Sequence, residues 1–164
     1  MSSPSSPPCI NNRRRFLLRA SCYAAGAILI SLLTIRPCRA TPETMRAAIR
    51  ETIGPETPRS GRVKLDVPPL VENGNAVPLS VSVDSPMTAE DHVTEIHLFN
   101  EKNPQPNVAS FHLGPRSGKA VVATRIKLAD SQQVIAIAKM SDGSLWSDSA
   151  QVIVTIAACV EDVR

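Results

Sequence analysis

From Val63 onward, hydrophobic and polar positions alternate along most of the chain, and this period of two marks half-buried strands. Val63, Leu65 and Val67 alternate with polar neighbours before Pro68-Pro69. Val77, Leu79, Val81 and Val83 alternate with Pro78, Ser80, Ser82 and Asp84. Similar patterning predicts strands over His92–Asn100, Val108–Leu113, Lys119–Leu128, Gln132–Met140 and Leu145–Ile156. Asn73-Gly74 and Asp142-Gly143 offer the backbone conformations that hairpins need, while Pro104-Gln105-Pro106 and Gly114-Pro115 mark longer loops. About seven short strands, with turns about every 8–12 residues, predict an all-β, immunoglobulin-like antiparallel sandwich. No two cysteines lie here to bridge the sheets, so the core must rest on packing among Val81, Ile96, Leu98, Ile126, Ile135, Ile137, Val152 and Val154.

Before Val63 the periodicity is different. Thr41-Pro42-Glu43 reads as a helix start, with Thr41 as the cap and Pro42 in the first turn. Met45, Ala48, Ile49 and Ile53 recur at helical spacing, and Gly54-Pro55 ends the pattern. The expected organisation is a targeting segment over 1–40, a short N-terminal helix and linker over 41–62, a sandwich over 63–156 and a C-terminal arm over 157–164.

The targeting segment has the three regions of an export signal in order. Arg13-Arg14-Arg15 is followed by an apolar stretch from Ala24 to Leu33 and by small residues around Pro37-Cys38-Arg39-Ala40. The apolar stretch is shorter than the ~20 residues a membrane-spanning helix needs. Arg13, Arg14, Phe16 and Leu17 resemble the twin-arginine motif, although Asn12 and Leu18 depart from its flanks. An ordinary secretory signal with extra arginines is the other reading. Either route takes the product out of the cytoplasm, and the expected location is the periplasm, with no membrane attachment after cleavage.

Setting the signal aside changes the charge balance. Six of the 18 basic residues and none of the 15 acidic ones fall in 1–40, leaving twelve against fifteen, net −3. Phe99, Phe111 and Trp146 are then the only aromatic residues. Nucleic-acid binding needs basic surface and stacking platforms, so it is excluded as an expectation.

Few residues point to chemistry. Gly114-Pro115-Arg116-Ser117-Gly118-Lys119 is one residue short of a phosphate-binding loop, lacks its Ser or Thr, and precedes a strand. His92, His97 and His112 lack the spacing of a compact metal-ligand pair, and His97 alternates with Ile96 and Leu98, which places it on the outer sheet face. Glu90, Asp91 and Glu95 read as solvated, and no nucleophile elbow is present. The expectation is a protein that is not an enzyme, with no metal and no resident cofactor. One group stands apart. Cys9, Cys22 and Cys38 fall within the signal, so Cys159 is the only cysteine beyond it. A lone thiol outside the cytoplasm is inert, paired with another molecule, or the working group, and its position alone leaves these open.

The rest of the chain resembles the SoxY family of sulfur carriers. The resemblance is carried by Gly61-Arg62-Val63-Lys64-Leu65, Pro68 through Gly74, Val77-Pro78 through Ser85-Pro86-Met87, Glu101-Lys102-Asn103-Pro104, Asn107-Val108-Ala109, Ala123-Thr124-Arg125, Leu128-Ala129, Met140 through Gly143, and Val152–Ile156. It implies an immunoglobulin-like sandwich, a heterodimer with a SoxZ-like subunit, and a C-terminal swinging arm whose cysteine, here Cys159, carries sulfur intermediates covalently. A cytochrome would couple thiosulfate to that cysteine, a hydrolase would release sulfate, and a sulfur dehydrogenase would oxidise the remaining sulfane. The arm departs from the family's Gly-Gly-Cys-Gly-Gly pattern. Ala157 and Ala158 replace the leading glycines, Val160 and Glu161 the trailing pair. Such an arm is bulkier and stiffer, and Glu161 and Asp162 disfavour thiolate formation at Cys159. Two other functions remain: a noncatalytic binding or scaffold module with an idle arm, or a dimer linked through Cys159.

Overall fold

A computed structural model describes residues 41–156 of the chain. Its elements, in order, are helix α1 (Pro42–Ile53) and strands β1 (Val63–Asp66), β2 (Leu70–Asn73), β3 (Val77–Val83), β4 (Val93–Asn100), β5 (Asn107–His112), β6 (Val121–Ile126), β7 (Gln132–Met140) and β8 (Leu145–Ile156). The strands form a three-stranded sheet, order β1-β3-β6, and a five-stranded sheet, order β2-β8-β7-β4-β5. Their inner faces meet as a sandwich, and its immunoglobulin-like class is the one expected.

The alternation along the strands builds the core. Val63, Leu65, Val77, Leu79, Val81 and Val83 of the smaller sheet face Ile96, Leu98, Val134, Ala136, Ala138, Val152 and Val154 of the larger one. Around the middle of β4 the alternation fails, and Ile96 through Asn100 are all buried. For Phe99 the cause is α1, which lies on the outer face of the larger sheet. Its Met45 is buried against Phe99, Ile137 and Leu145, with Ala48, Ile49 and Ile53 packed alongside. A strand covered on both faces has no reason to alternate.

Helix α1 starts and stops by local chemistry. The Thr41 side chain accepts from the Thr44 amide, Thr44 Oγ1 accepts from the Thr41 amide at 2.8 Å, and Pro42 sits where no amide partner is needed. Gly54, at φ +88°, ends it, donating to the Arg50 carbonyl at 3.0 Å.

Several expectations need correction. Ile135 and Ile137 belong to the cluster beneath α1, not to the core between the sheets. Asn73-Gly74 makes no hairpin: Asn73 Oδ1 accepts from the Asn75 amide at 2.9 Å, and the 3-10 turn Gly74–Ala76 carries the chain from one sheet to the other. Asp142-Gly143 does turn the β7–β8 hairpin, with Gly143 at φ +81°. Strand β2 was not anticipated. It pairs with β8 in parallel, Leu70 opposite Ile153 and Asn73 opposite Ile156. The linker is also held in place, since Arg59 bridges to Trp146 and the Arg62 guanidinium lies 5.9 Å from the Trp146 ring centroid.

The docking of α1 sets the first prediction. Phe99→Ala should lower stability by about 3–5 kcal/mol and Thr41→Ala by about 1 kcal/mol, measured by urea unfolding. Similar costs for the two would mean that α1 does not depend on Phe99.

Candidate functional site

Cys159 and its neighbours Ala157, Ala158, Val160 and Glu161 lie outside the described residues, as do Arg13, Arg14, Phe16 and Leu17 of the signal motif. What can be built from the residues upward is the mount formed by the end of β8, the last described strand before Cys159. Strand β8 runs twelve residues and ends at Ile156, three positions before Cys159. Over Gln132–Lys139, β7 pairs with β8 from Val152 back to Leu145. Beyond Val152, β8 leaves that ladder and is held by other means.

On one side β2 supplies a parallel strand, and Thr155 Oγ1 donates to the Glu72 carbonyl at 3.1 Å. On the other, the Ser131 hydroxyl stands in for a ladder partner. It accepts from the Val154 amide at 2.9 Å and donates to the Val154 carbonyl at 3.3 Å. Close to its end β8 is thus bonded on both edges, Val154 to Ser131 and Thr155 to Glu72.

The loops around this mount are tied together through one buried amide. Gln132, fully buried, accepts from the Lys102 amide at 2.6 Å and donates to Asn103 Oδ1 at 2.8 Å. Asn103 Oδ1 also accepts from the Ala129 amide at 3.0 Å, and Asn103 Nδ2 donates to the Lys127 carbonyl at 2.8 Å. The Leu128 amide donates to the Gly74 carbonyl at 2.8 Å. Glu101–Pro104, Leu128-Ala129 and Asn73-Gly74, three of the stretches that carry the sequence resemblance, therefore meet at one end of the sandwich. It is the end at which β8 finishes. Spacing along the chain gave no hint of this meeting.

The histidines are arranged differently from the expectation. His97 is on the outer face of β4, as its alternation predicts, but it is only 4% exposed, and its ring centroid lies 6.3 Å from that of Phe99. Its Nε2 lies 3.0 Å from Glu95 Oε2 and its Nδ1 2.8 Å from Ser110 Oγ. A carboxylate only accepts, so the Nε2 proton points to Glu95 and, in the neutral ring, Nδ1 accepts from Ser110. His112 Nδ1 lies 3.8 Å from Glu95 Oε1. Glu95 is therefore not a solvated strand end but the centre of a cluster. Its carboxyl is held below the usual glutamate range, chiefly by the hydrogen bond from His97, against the opposing effect of burial and with help from the charges of Lys139, His97 and His112. Among the described residues, no group of three or more His, Cys, Asp or Glu side chains is arranged to hold a metal ion. Gly114–Lys119 forms a surface 3-10 turn leading into β6, unlike a phosphate-binding loop. An open groove beside β3 is lined by Asp66, Val67, Pro69, Pro78 and Arg125 among others, with no histidine or cysteine in its walls.

Comparison with known proteins gives a consistent answer. The family described as "Sulfur oxidation protein SoxY" matches residues 49–159 of the chain, a stretch that ends on Cys159. No curated protein matches the sequence. Among solved structures, the sulfur carrier protein SoxY from Chlorobium limicola f thiosulfatophilum is 28% identical, with a TM-score of 0.58, over 70% of this chain and 98% of that one. A superoxide reductase (neelaredoxin) from Ignicoccus hospitalis is 21% identical, TM-score 0.52, over 57% of this chain and 80% of its own. One from Nanoarchaeum equitans is 13% identical, TM-score 0.50, over 58% of this chain and all of its own. At such identities the two reductases share the fold alone.

The Glu95 cluster makes a pH prediction. A carboxyl with a lowered folded pKa contributes stability above its unfolded pKa, and that contribution is lost as pH falls through the folded one. Urea unfolding should show stability falling as pH drops below about 4.3. Glu95→Gln should be less stable near neutrality and should lose less on acidification; equal losses in both proteins would contradict the assignment.

Proposed function

The chain belongs to the SoxY family, a sulfur carrier of sulfur oxidation, and from that premise we propose that it holds its sulfur intermediates on Cys159, in the periplasm, and presents them to partner enzymes. The observation that carries this reading is the family match, which spans the whole sandwich and ends on Cys159. The mount described above supports it mechanically: a strand fixed on both edges ends three residues from the thiol.

The chemistry asks little of the carrier itself. In the first step the Cys159 thiolate and the outer sulfur of thiosulfate form an S–S bond, and two electrons pass to a cytochrome. Water then cleaves the bond to the sulfonate sulfur. Sulfate and two protons leave, and a persulfide remains on Cys159. A sulfur dehydrogenase takes six electrons from the outer sulfur, with three waters supplying its oxygens, and a second hydrolysis frees sulfate and the thiolate. The carrier contributes a thiol able to make and break sulfur–sulfur bonds, and a tether that keeps each intermediate at high effective concentration. A SoxZ-like subunit is the proposed heterodimer partner. Export through the twin-arginine route, which takes folded cargo, would let such a subunit travel in complex.

A second reading is favoured by the arm itself. Ala157, Ala158, Val160 and Glu161 stand where glycines would leave a narrow channel unobstructed, and Glu161 and Asp162 oppose thiolate formation. On that reading the sandwich scaffolds partners and the thiol is idle. In a reconstituted system, Cys159→Ala should reduce thiosulfate-dependent electron transfer to the level seen without the protein, while binding to the SoxZ-like subunit persists. Full electron transfer by the variant would favour the scaffold.

A further inference from the structure

Four large hydrophobic side chains are exposed on the described surface: Leu70, Val121, Ile153 and Ile156. Single exposed hydrophobics are ordinary, and Val121 is one of them. The other three are grouped. Leu70 and Ile153 are directly paired in the parallel β2–β8 ladder, and Ile156 is the last residue of β8. They are 60%, 54% and 66% exposed, respectively.

The pleat distributes them around the strand. Val152 and Val154 face the core, so Ile153 and its partner Leu70 lie on the opposite face of the sheet. Ile156 follows Val154 on the core-facing side, where it projects beyond the last core residue. Apolar side chains thus flank β8 on both faces at the point where it leaves the fold. The backbone beneath them is fixed, since the Ile153 amide donates to the Pro69 carbonyl at 2.9 Å and the Ser131 hydroxyl holds Val154.

Covalent geometry limits what can meet this surface. Three residues span at most about 11 Å, so the Cys159 Cα stays within about 11 Å of the Ile156 Cα. An enzyme that draws Cys159 into an active site must therefore bring the mouth of that site onto the end of β8. We propose that Leu70, Ile153 and Ile156 form an apolar docking collar for the cytochrome that loads Cys159, and that the matching rim of its channel is apolar. This rests on the carrier reading above. The collar is much smaller than the roughly 800 Å² per partner of a stable complex, so it gives brief docking, as a carrier that must leave each enzyme requires.

The test uses the intact carrier with its SoxZ-like subunit and the cytochrome that loads it. The variant is Leu70→Ser/Ile153→Ser, with Val121→Ser as the remote control. The double variant should raise KM for carrier loading about tenfold or more while kcat stays within about twofold, because the lost contact precedes the chemistry. Alkylation of Cys159 by iodoacetamide should proceed at the same rate in all three proteins, and Val121→Ser should load normally. An unchanged KM would overturn the proposal. So would loss of heterodimer on size-exclusion chromatography, which would make the patch the subunit interface. If the unmodified protein does not load at all while its thiol still alkylates, the carrier reading itself fails, and the collar with it.

Discussion

The end of β8 is bonded on both sides although it runs past its β7 partner, and several connections of the fold serve that arrangement. A strand that ends a fold normally frays, because its last amides and carbonyls have no partner but water. Here the chain crosses from the smaller sheet after β1 so that β2 pairs with β8 in parallel, and the Ser131 hydroxyl takes the place of a strand on the opposite edge. Both devices depend on connections elsewhere. The Pro68-Pro69 crossing delivers β2 to β8, and the Gln132–Asn103 network holds the loops that place Ser131. On the carrier reading, the reach of Cys159 is set by the few residues beyond Ile156.

The other consequential contact is α1 on the outer face. It converts one side of the five-stranded sheet into a second small core around Met45, Phe99, Ile137 and Leu145. On the same outer face lies His97, a polar ring at a buried position beside Phe99 whose two nitrogens both find partners. The sandwich is therefore a three-layer unit in which the helix belongs to its own domain. Among the described residues, three of the four exposed large hydrophobics, Leu70, Ile153 and Ile156, lie instead along β2 and β8.

Much of this was legible in the residues. The alternation from Val77 to Val83 and the Asp142-Gly143 turn identified strands and a hairpin without ambiguity, because one face of each strand is buried and the turn needs a left-handed residue. Strand β2 was hidden because its four residues follow two prolines, and Leu70 faces solvent, so no alternation marks it. Ile135 and Ile137 looked like core residues of the sandwich because periodicity reports burial, not which layer does the burying. The meeting of Glu101–Pro104, Leu128-Ala129 and Asn73-Gly74 depends on long-range hydrogen bonds to side chains, which leave no local pattern. Cys159 was conspicuous from the sequence for a different reason, as the one thiol outside the stretch read as an export signal.

The departure of the arm from a glycine-rich pattern bears on the central claim, because bulk at Val160 and charge at Glu161 oppose both entry into a narrow channel and thiolate formation. The most direct measurement is the intact mass of the mature protein, in complex with its SoxZ-like subunit, before and after thiosulfate turnover with the loading cytochrome. The account predicts additions of sulfur or thiosulfonate that map to Cys159 and disappear with a thiol reductant. A bare thiol or a simple Cys159 disulfide dimer, beside a glycine-armed carrier that loads under the same conditions, would contradict it.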